Sequence, residues 1–414
     1  MKQPTNQMNL NWQRMIILFL SSQTISLLGS SLVQYAITWY LTLREQSGVI
    51  MTLSVIFGFL PTFFLSPFAG VWADRYDRKK LIILSDAVIA VSTLLLIFLF
   101  LSGQGSIGAL LVASAIRALG AGIQIPAVSA VLPQIVPEDK LTKVNGFNGS
   151  IQALTMLISP MASGALLNFA SLEIIFFIDV FTAIVAIIIL AFFLKIPSHN
   201  KAVHVQESSY LADLKLGFIY IKNRAFLKKL YSYFSLAYLL AAPVSFLTPL
   251  QVTRTFGNDV WRLTMIEVAF STGMIVGGLM VAFWGGFKNR IHSIAFAILM
   301  MGVCTVLLGI ISNFWFYSLV MALFGLVIPL LSATTIVLLQ EKVAEDYLGR
   351  VFGVETMIAT AMMPLGMLFF GPLADLVRIE WLLLVSGLLL LIVMLFMFND
   401  NQLLRAGVPK EENE

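Results

Sequence analysis

Val136-Pro137-Glu138-Asp139-Lys140-Leu141-Thr142-Lys143-Val144 returns, 207 residues later, as Val343-Ala344-Glu345-Asp346-Tyr347-Leu348-Gly349-Arg350-Val351. At the same shift Gly146 falls on Gly353, Gly164-Ala165-Leu166 on Gly371-Pro372-Leu373, and Glu173 on Glu380. The chain has 414 residues, so the shift is half its length. Apolar coincidences are cheap in a sequence that is 59% hydrophobic. A matched Glu-Asp pair with matched glycines at one constant shift is not. The chain reads as two parallel repeats.

Working outward, the solvent of those repeats is lipid. Mean hydropathy is +0.91 and 12% of residues are charged, about half the share of an ordinary soluble domain. Such a chain could not cover its surface with polar groups, which excludes a soluble enzyme, a nucleic-acid binder and a disordered protein. Cys304 is the single cysteine, so no intrachain disulfide and no cysteine metal cluster can form. His199, His204 and His292 have no neighbour at ligand spacing. No metal and no cofactor are expected.

Charge-free or nearly charge-free runs occupy residues 15–43, 47–73, 81–101, 107–135, 144–171, 174–194, 230–253, 263–284, 291–311, 314–340, 351–376 and 381–398. Each is long enough to cross a bilayer. The first, of 29 residues, exceeds the apolar region of a cleavable leader and reads as a true span. Twelve spans place both termini on one side. Of 26 Lys and Arg, 21 fall on that side; Arg44, Arg254, Arg262 and Arg378 fall on the other, and Arg117 lies within a span. The basic side, with both termini, is therefore expected to be cytoplasmic. The positive charge is a topology signal and implies no nucleic acid.

The expected organisation is a six-span bundle (1–196), a linker (197–229), a second six-span bundle (230–398) and a cytoplasmic tail (399–414). Apolar residues at helical spacing over Leu211–Lys222 predict an amphipathic helix on the cytoplasmic surface. In parallel repeats of this kind a substrate sits between the halves near the midplane, and the halves rock. A channel is the competing reading, but channels are commonly built by oligomers around one pore.

The loop between spans 2 and 3 reads Gly70-Val71-Trp72-Ala73-Asp74-Arg75-Tyr76-Asp77-Arg78-Lys79-Lys80. It resembles the signature loop of the major facilitator superfamily, Gly-x-x-x-Asp-Arg-x-Gly-Arg-Arg/Lys, with Asp77 in place of the second glycine. Gly70 would allow close helix approach, and Asp74 could cap a neighbouring helix N-terminus. The resemblance makes Gly70, Asp74, Arg75, Arg78 and Lys79 a gating motif. Arg117-Ala118-Leu119-Gly120-Ala121-Gly122 is similar to the superfamily's Arg-x-x-x-Gly motif of proton-coupled members. Ser159-Pro160-Met161-Ala162-Ser163-Gly164 resembles the exporter motif Gly-Pro-x-x-Gly-Gly, with serines for two glycines. Met363-Pro364-Leu365-Gly366 through Gly371-Pro372-Leu373-Ala374-Asp375 is similar to the drug:proton antiporters of the macrolide-efflux type. The resemblance implies an all-α fold of twelve transmembrane helices in two pseudo-symmetric six-helix bundles. It also implies export of an amphipathic small molecule in exchange for protons. No phosphate-binding loop is present, so ATP is not expected to drive transport within this chain.

Proton coupling needs ionisable groups inside the membrane, where each is costly enough to be a functional candidate. The acids within spans are Asp86, Asp179, Glu267, Glu355 and Asp375. Asp86 is expected to pair with the basic loop, and Asp375 lies close to Arg378. Asn148 is the repeat partner of Glu355, which suggests a cavity-facing position for both. Proton coupling is expected at Glu267, Glu355, Asp375 or Asp179, with Arg117 as the fixed positive partner. In the superfamily spans 1, 4, 5 and 7 line the cavity. The resemblance therefore makes Gln23, Gln34, Trp39, Gln124, Asn148, Gln152, Tyr231, Tyr233 and Tyr238 candidates for substrate contact, a sparse polar set in an apolar pocket.

The expected protein is a monomeric proton-driven exporter in the inner or plasma membrane, whose partners are its substrate, protons and lipids. A siderophore or metabolite exporter on the same fold is the alternative. A lipid scramblase or non-transporting receptor is more remote.

Overall fold

The charge-free runs fall on helical segments, and the chain has twelve helical spans long and apolar enough to cross a membrane. The computed structural model describes residues 5–194, 196 and 210–408. The first six spans are α1 (Thr5–Glu45), α2 (Gly48–Arg75), α3 (Arg78–Leu101), α4 (Ile107–Ile135), α5 (Glu138–Phe169) and α6 (Leu172–Ile188). A single π-turn, Ile189–Phe193, extends α6. A short helix, α7 (Tyr210–Lys222), precedes the second half. Span 7 is divided into α8 (Ala225–Phe246) and α9 (Thr248–Phe256). The remaining spans are α10 (Val260–Trp284), α11 (Arg290–Ile310), α12 (Phe314–Lys342), α13 (Glu345–Leu376) and α14 (Ile379–Phe398), and α15 (Asn401–Ala406) follows. No strand occurs among the described residues. His199 and His204 lie outside them.

Departures from the charge-free runs at α5, α13 and span 7 have simple causes. α5 and α13 each begin six residues before their runs, at Glu138 and Glu345. A charge-free run marks the lipid-embedded part of a helix, whereas a helix continues into the headgroups wherever charged ends can reach water. Span 7 breaks at Leu247, and Pro249 falls in the first turn of α9, where its missing N–H leaves no helical bond unmade. The turns hold where expected. Ser106 caps α4 by accepting from the Ala109 amide at 3.2 Å, and Asn313 caps α12 by accepting from Trp315 at 2.9 Å. Gly103 supplies the left-handed φ of +73° that the first hairpin needs.

Lipid offers no hydrophobic drive between spans, so tight packing has to come from small residues. A Cβ on Gly273 or Gly277 of α10 would meet the carbonyls of Ala322 or Leu326 in α12. Gly325 of α12 meets Phe270 in the same way from the opposite side of the seam.

The chain divides into two compact units. One is Met1–Leu41 with Ile56–Val205, and the other is Thr42–Val55 with Gln206–Glu414. The start of α2 thus groups with the second unit.

Candidate functional site

In the first unit the in-span cation meets an in-span acid. Arg117 of α4 and Asp179 of α6 form an ion pair with side chains 6% and 0% exposed. The guanidinium also donates to the Thr93 hydroxyl of α3 and, at 3.0 Å, to the Ser30 carbonyl of α1. Asp179 accepts from Thr93 at 2.8 Å and from the Ser30 hydroxyl at 3.2 Å. Four helices thus share one buried cluster. Arg117 therefore has a fixed partner, and that partner is Asp179 rather than Glu267, Glu355 or Asp375.

About one turn further along α1, Ser26 donates to Asp86 at 2.6 Å, and Gln124 of α4 donates to the same oxygen at 2.8 Å. Gln124 also reaches Gln23 at 3.4 Å. The other Asp86 oxygen is buried with no partner among the described residues. The expected pairing of Asp86 with the basic loop does not form. Asp86 lies eight residues into α3 from Arg78, about 12 Å along the axis, and the basic side chains are used elsewhere. Arg78 donates to the Ala73 and Ala130 carbonyls at 2.8 and 2.7 Å. Lys79 donates to the Ala191 and Leu194 carbonyls at 3.0 and 2.8 Å. Lys79 thereby closes the α6 end, where carbonyls are orphaned and a cation is favoured. Asp77 accepts from the Lys80 amide at 3.3 Å as the N-cap of α3. Its φ of −62° explains why no glycine is needed at this point of the motif.

Gly70 does not mediate a close approach: a Cβ there would meet nothing within 4 Å. Arg75 is exposed, and the Asp74 side chain lies outside the described residues. Of the substrate-contact candidates in this unit, the structure brings Gln23 and Gln124 together. Gln34 and Asn148 are half-buried and Gln152 is exposed. Trp39 is 1% exposed, packed 5.6 Å from the Tyr35 ring. In the exporter-like motif Ser163 is buried and donates to the Leu32 carbonyl at 3.2 Å, tying α5 to α1.

In the second unit Glu267 of α10 and Glu355 of α13 are half-buried. Neither has an ion pair or hydrogen bond among the described residues. Glu355 shares the α8–α13 seam with Tyr231 and Tyr238, which are its electrostatic neighbours. The Tyr231 hydroxyl donates to the Val351 carbonyl at 3.3 Å, one turn before Glu355. Tyr238 and Tyr233 are half-buried.

Asp375, near the end of α13, does not pair with Arg378. It accepts from the Gly48 and Val49 amides at 2.7 and 3.0 Å and from the Ser47 hydroxyl at 2.8 Å. Its cation is Arg254 of α9, at 2.8 Å. Arg254 also donates to the Ala374 carbonyl at 2.6 Å and to the Gln46 carbonyl. Arg378 lies beyond the end of α13, where the chain turns extended, and pairs with Glu380 at 3.4 Å. The carboxylate therefore sits on the N-terminus of α2, where the helix dipole favours a negative charge. Two glycines make this contact possible. A Cβ on Gly371 would strike the Thr52 hydroxyl, and one on Gly48 would strike the Gly371 carbonyl. A cavity of about 470 Å³ opens beside the pair, lined by Gln251, Arg254, Thr255 and residues 374–380.

Ser26, Ser30, Thr93, Arg254 and the start of α2 escaped sequence reasoning. Single hydroxyls in spans carry no signal. Arg254, however, was legible as one of only four cations on its side. Among the described residues no three His, Cys, Asp or Glu side chains gather as a metal site.

A profile of the Major Facilitator Superfamily matches residues 15–367. The chain belongs to that superfamily. Macrolide efflux protein A of Streptococcus pyogenes is 30% identical over 385 residues, covering 92% of this chain and 95% of that protein. The staphyloferrin A transporter of Staphylococcus aureus is 22% identical over 395 residues, covering 93% and 96%. A peptide transporter, POT, solved with alafosfalin, superposes with a TM-score of 0.72 at 12% identity, covering 94% of each chain. This last likeness concerns the fold alone. The protein is a multi-pass membrane transporter of the major facilitator fold, with twelve spans. Within that fold Arg78, Lys79 and Asp77 of the signature loop tie together the ends of α2, α4, α6 and the start of α3.

Proposed function

We propose that the protein is a secondary exporter of amphipathic small molecules of the macrolide type, driven by proton antiport through alternating access. It would work as a monomer in the inner or plasma membrane, with both termini in the cytoplasm. The observation that carries this reading is that, among the described residues, Glu355 beside Tyr231 and Tyr238 has no ion-pair or hydrogen-bond partner, and Glu267 has none either. A carboxylate at membrane depth without a cation must be neutralised or hydrated before its surroundings close. A proton supplies that neutralisation and links closure to proton uptake. The phenols and apolar walls beside it suit an amphipathic ligand. The 30% identity to macrolide efflux protein A supports the direction and the substrate class. Arg117, engaged by Asp179, then serves to order α1, α3, α4 and α6.

The test is substrate transport in proteoliposomes under an imposed pH gradient. Glu355→Gln should abolish gradient-driven transport and leave substrate binding largely intact. Wild-type rates for Glu267→Gln, Glu355→Gln, Asp375→Asn and Asp179→Asn alike would leave a facilitator, or another driving ion, as the better account. The likeness to the staphyloferrin A transporter favours a second reading, a siderophore exporter. A substrate panel in the same vesicles, macrolides against staphyloferrin A, separates the two. Proton flux that ignores every substrate would point to a scramblase or receptor instead.

A further inference from the structure

The linker helix α7 is held by one face only. Gly217 packs against α13, where a Cβ would come within 2.8 Å of the Arg350 carbonyl. Tyr220 stacks on Tyr347 with centroids 4.4 Å apart, and its hydroxyl accepts from the Ala344 amide at 3.0 Å. Arg224 lies 3.5 Å above the Tyr220 ring. The other face is bare: Leu216, Phe218 and Ile219 are 39%, 44% and 43% exposed, with Lys215 and Lys222 beside them.

Between that face and α8 lies a groove of about 230 Å³, lined by Phe218, Ile221, Lys222, Lys228, Tyr231, Ser232 and Ser235. Its chemistry is uneven. Two ammonium groups stand over an apolar and aromatic floor, and no acid lines it among the described residues. Lys222 and Lys228 have no carboxylate partner among the described residues, whereas the adjacent Lys229 is engaged by Asp400 at 2.7 Å. Ser232 and Ser235 donate inward, to the Lys228 and Tyr231 carbonyls at 2.8 Å each, which leaves the hydroxyl oxygens as acceptors. The groove sits where α8 leaves its charged first turn and becomes apolar, the depth of a lipid headgroup.

We propose that the α7–α8 groove is a binding site for one anionic phospholipid, its phosphodiester between Lys222 and Lys228 and its acyl chains along Phe218 and the outer face of α8. Basic pockets at span ends bind anionic headgroups in this way, with each lysine contributing about a fivefold gain in affinity. A bare apolar face flanked by lysines is what an interfacial helix presents to a charged bilayer. The site is independent of what the carrier exports. The same helix grips the start of α13, so occupancy of the groove would steady the helix that bears Glu355.

The test is native mass spectrometry of the full-length protein in detergent, with equimolar phosphatidylglycerol and phosphatidylcholine. The wild-type protein should retain phosphatidylglycerol selectively. Lys222→Gln/Lys228→Gln should cut that selectivity by about 25-fold, the product of two fivefold contributions. Lys222→Arg/Lys228→Arg should restore it, and Lys143→Gln, on α5, should leave it unchanged. Undiminished selectivity in a double glutamine variant that elutes as a folded monomer overturns the proposal. So does equal competition by free glycerol phosphate, which would mark a site for a soluble anion.

Discussion

Of the ion pairs among the described residues that bind helices together in this carrier, Arg117–Asp179 and Arg254–Asp375 are built in opposite ways. Arg117–Asp179 is enclosed, with side chains 6% and 0% exposed and hydroxyls from α1 and α3 bonded to the carboxylate. Arg254–Asp375 is 30% and 27% exposed, and much of what holds its carboxylate is backbone, the Gly48 and Val49 amides. In the enclosed pair each charge is tolerable only because the other is present, so removing one member costs far more than the pair contributes. In the open pair water can replace either member, and the lasting term is the helix N-terminus. The first suits a fixed scaffold; the second suits a contact that can be made and released.

The sharpest way to break this comparison is to remove one member of the enclosed pair. Asp179→Asn should destabilise the protein by about 3–5 kcal/mol, read as a fall in detergent melting temperature or as loss of folded yield. Arg117→Met/Asp179→Leu should recover most of that loss. A double variant as unstable as the sum of its singles would show that the pair does not act as a unit.

A smaller effect is expected at the open pair. Asp375→Asn should cost about 0.3–1 kcal/mol, and the cost should shrink as salt rises, because the pair is half in water. A loss equal to that of Asp179→Asn, or one insensitive to salt, would erase the distinction.

The smallest effect is expected at a further pair, Lys229–Asp400, 2.7 Å apart. Burial pulls the Asp400 carboxyl upward, but hydrogen bonds from Lys229 and from the Leu403 and Gln402 amides outweigh it and hold the group below the usual carboxylate range. A depressed folded value means stability that is present above the unfolded value, about 3.9, and lost as pH falls through the folded one. Lys229→Gln should therefore reduce the stability lost between pH 5 and pH 3 by about 0.2–1 kcal/mol relative to the wild-type protein, read as a flatter dependence of melting temperature on pH. An unchanged acid slope would show that the Lys229 ammonium contributes nothing to Asp400.

How far the sequence could be read differs between these features. The spans were legible because lipid penalises every charge, so uninterrupted apolar runs mark them almost directly. The candidates Asp179 and Arg117 were legible for the same reason, as rare charges inside spans. Their partnership was not, since it depends on how α4 and α6 are rotated about their own axes. Asp375 shows the same limit: the nearest cation in sequence, Arg378, pairs elsewhere, and Arg254 arrives from a helix 121 residues away. Asp86 shows it again, bonded to Ser26 and Gln124 instead of the basic loop.

By itself, then, the amino-acid sequence determined that this chain is a twelve-span membrane protein of two repeated halves, through composition, the 207-residue repeat and the one-sided distribution of 26 cations. Those properties follow from solvent, and solvent acts on each residue separately. Only the tertiary structure decided which acid meets which base, that Lys79 closes α6, that Glu355 lies beside two phenols, and that Leu216, Phe218 and Ile219 of α7 stay exposed. Each of those outcomes turns on helix rotation and packing over a few ångströms, and glycines such as Gly371 and Gly217, placed by shape rather than polarity, decide how near two backbones can come.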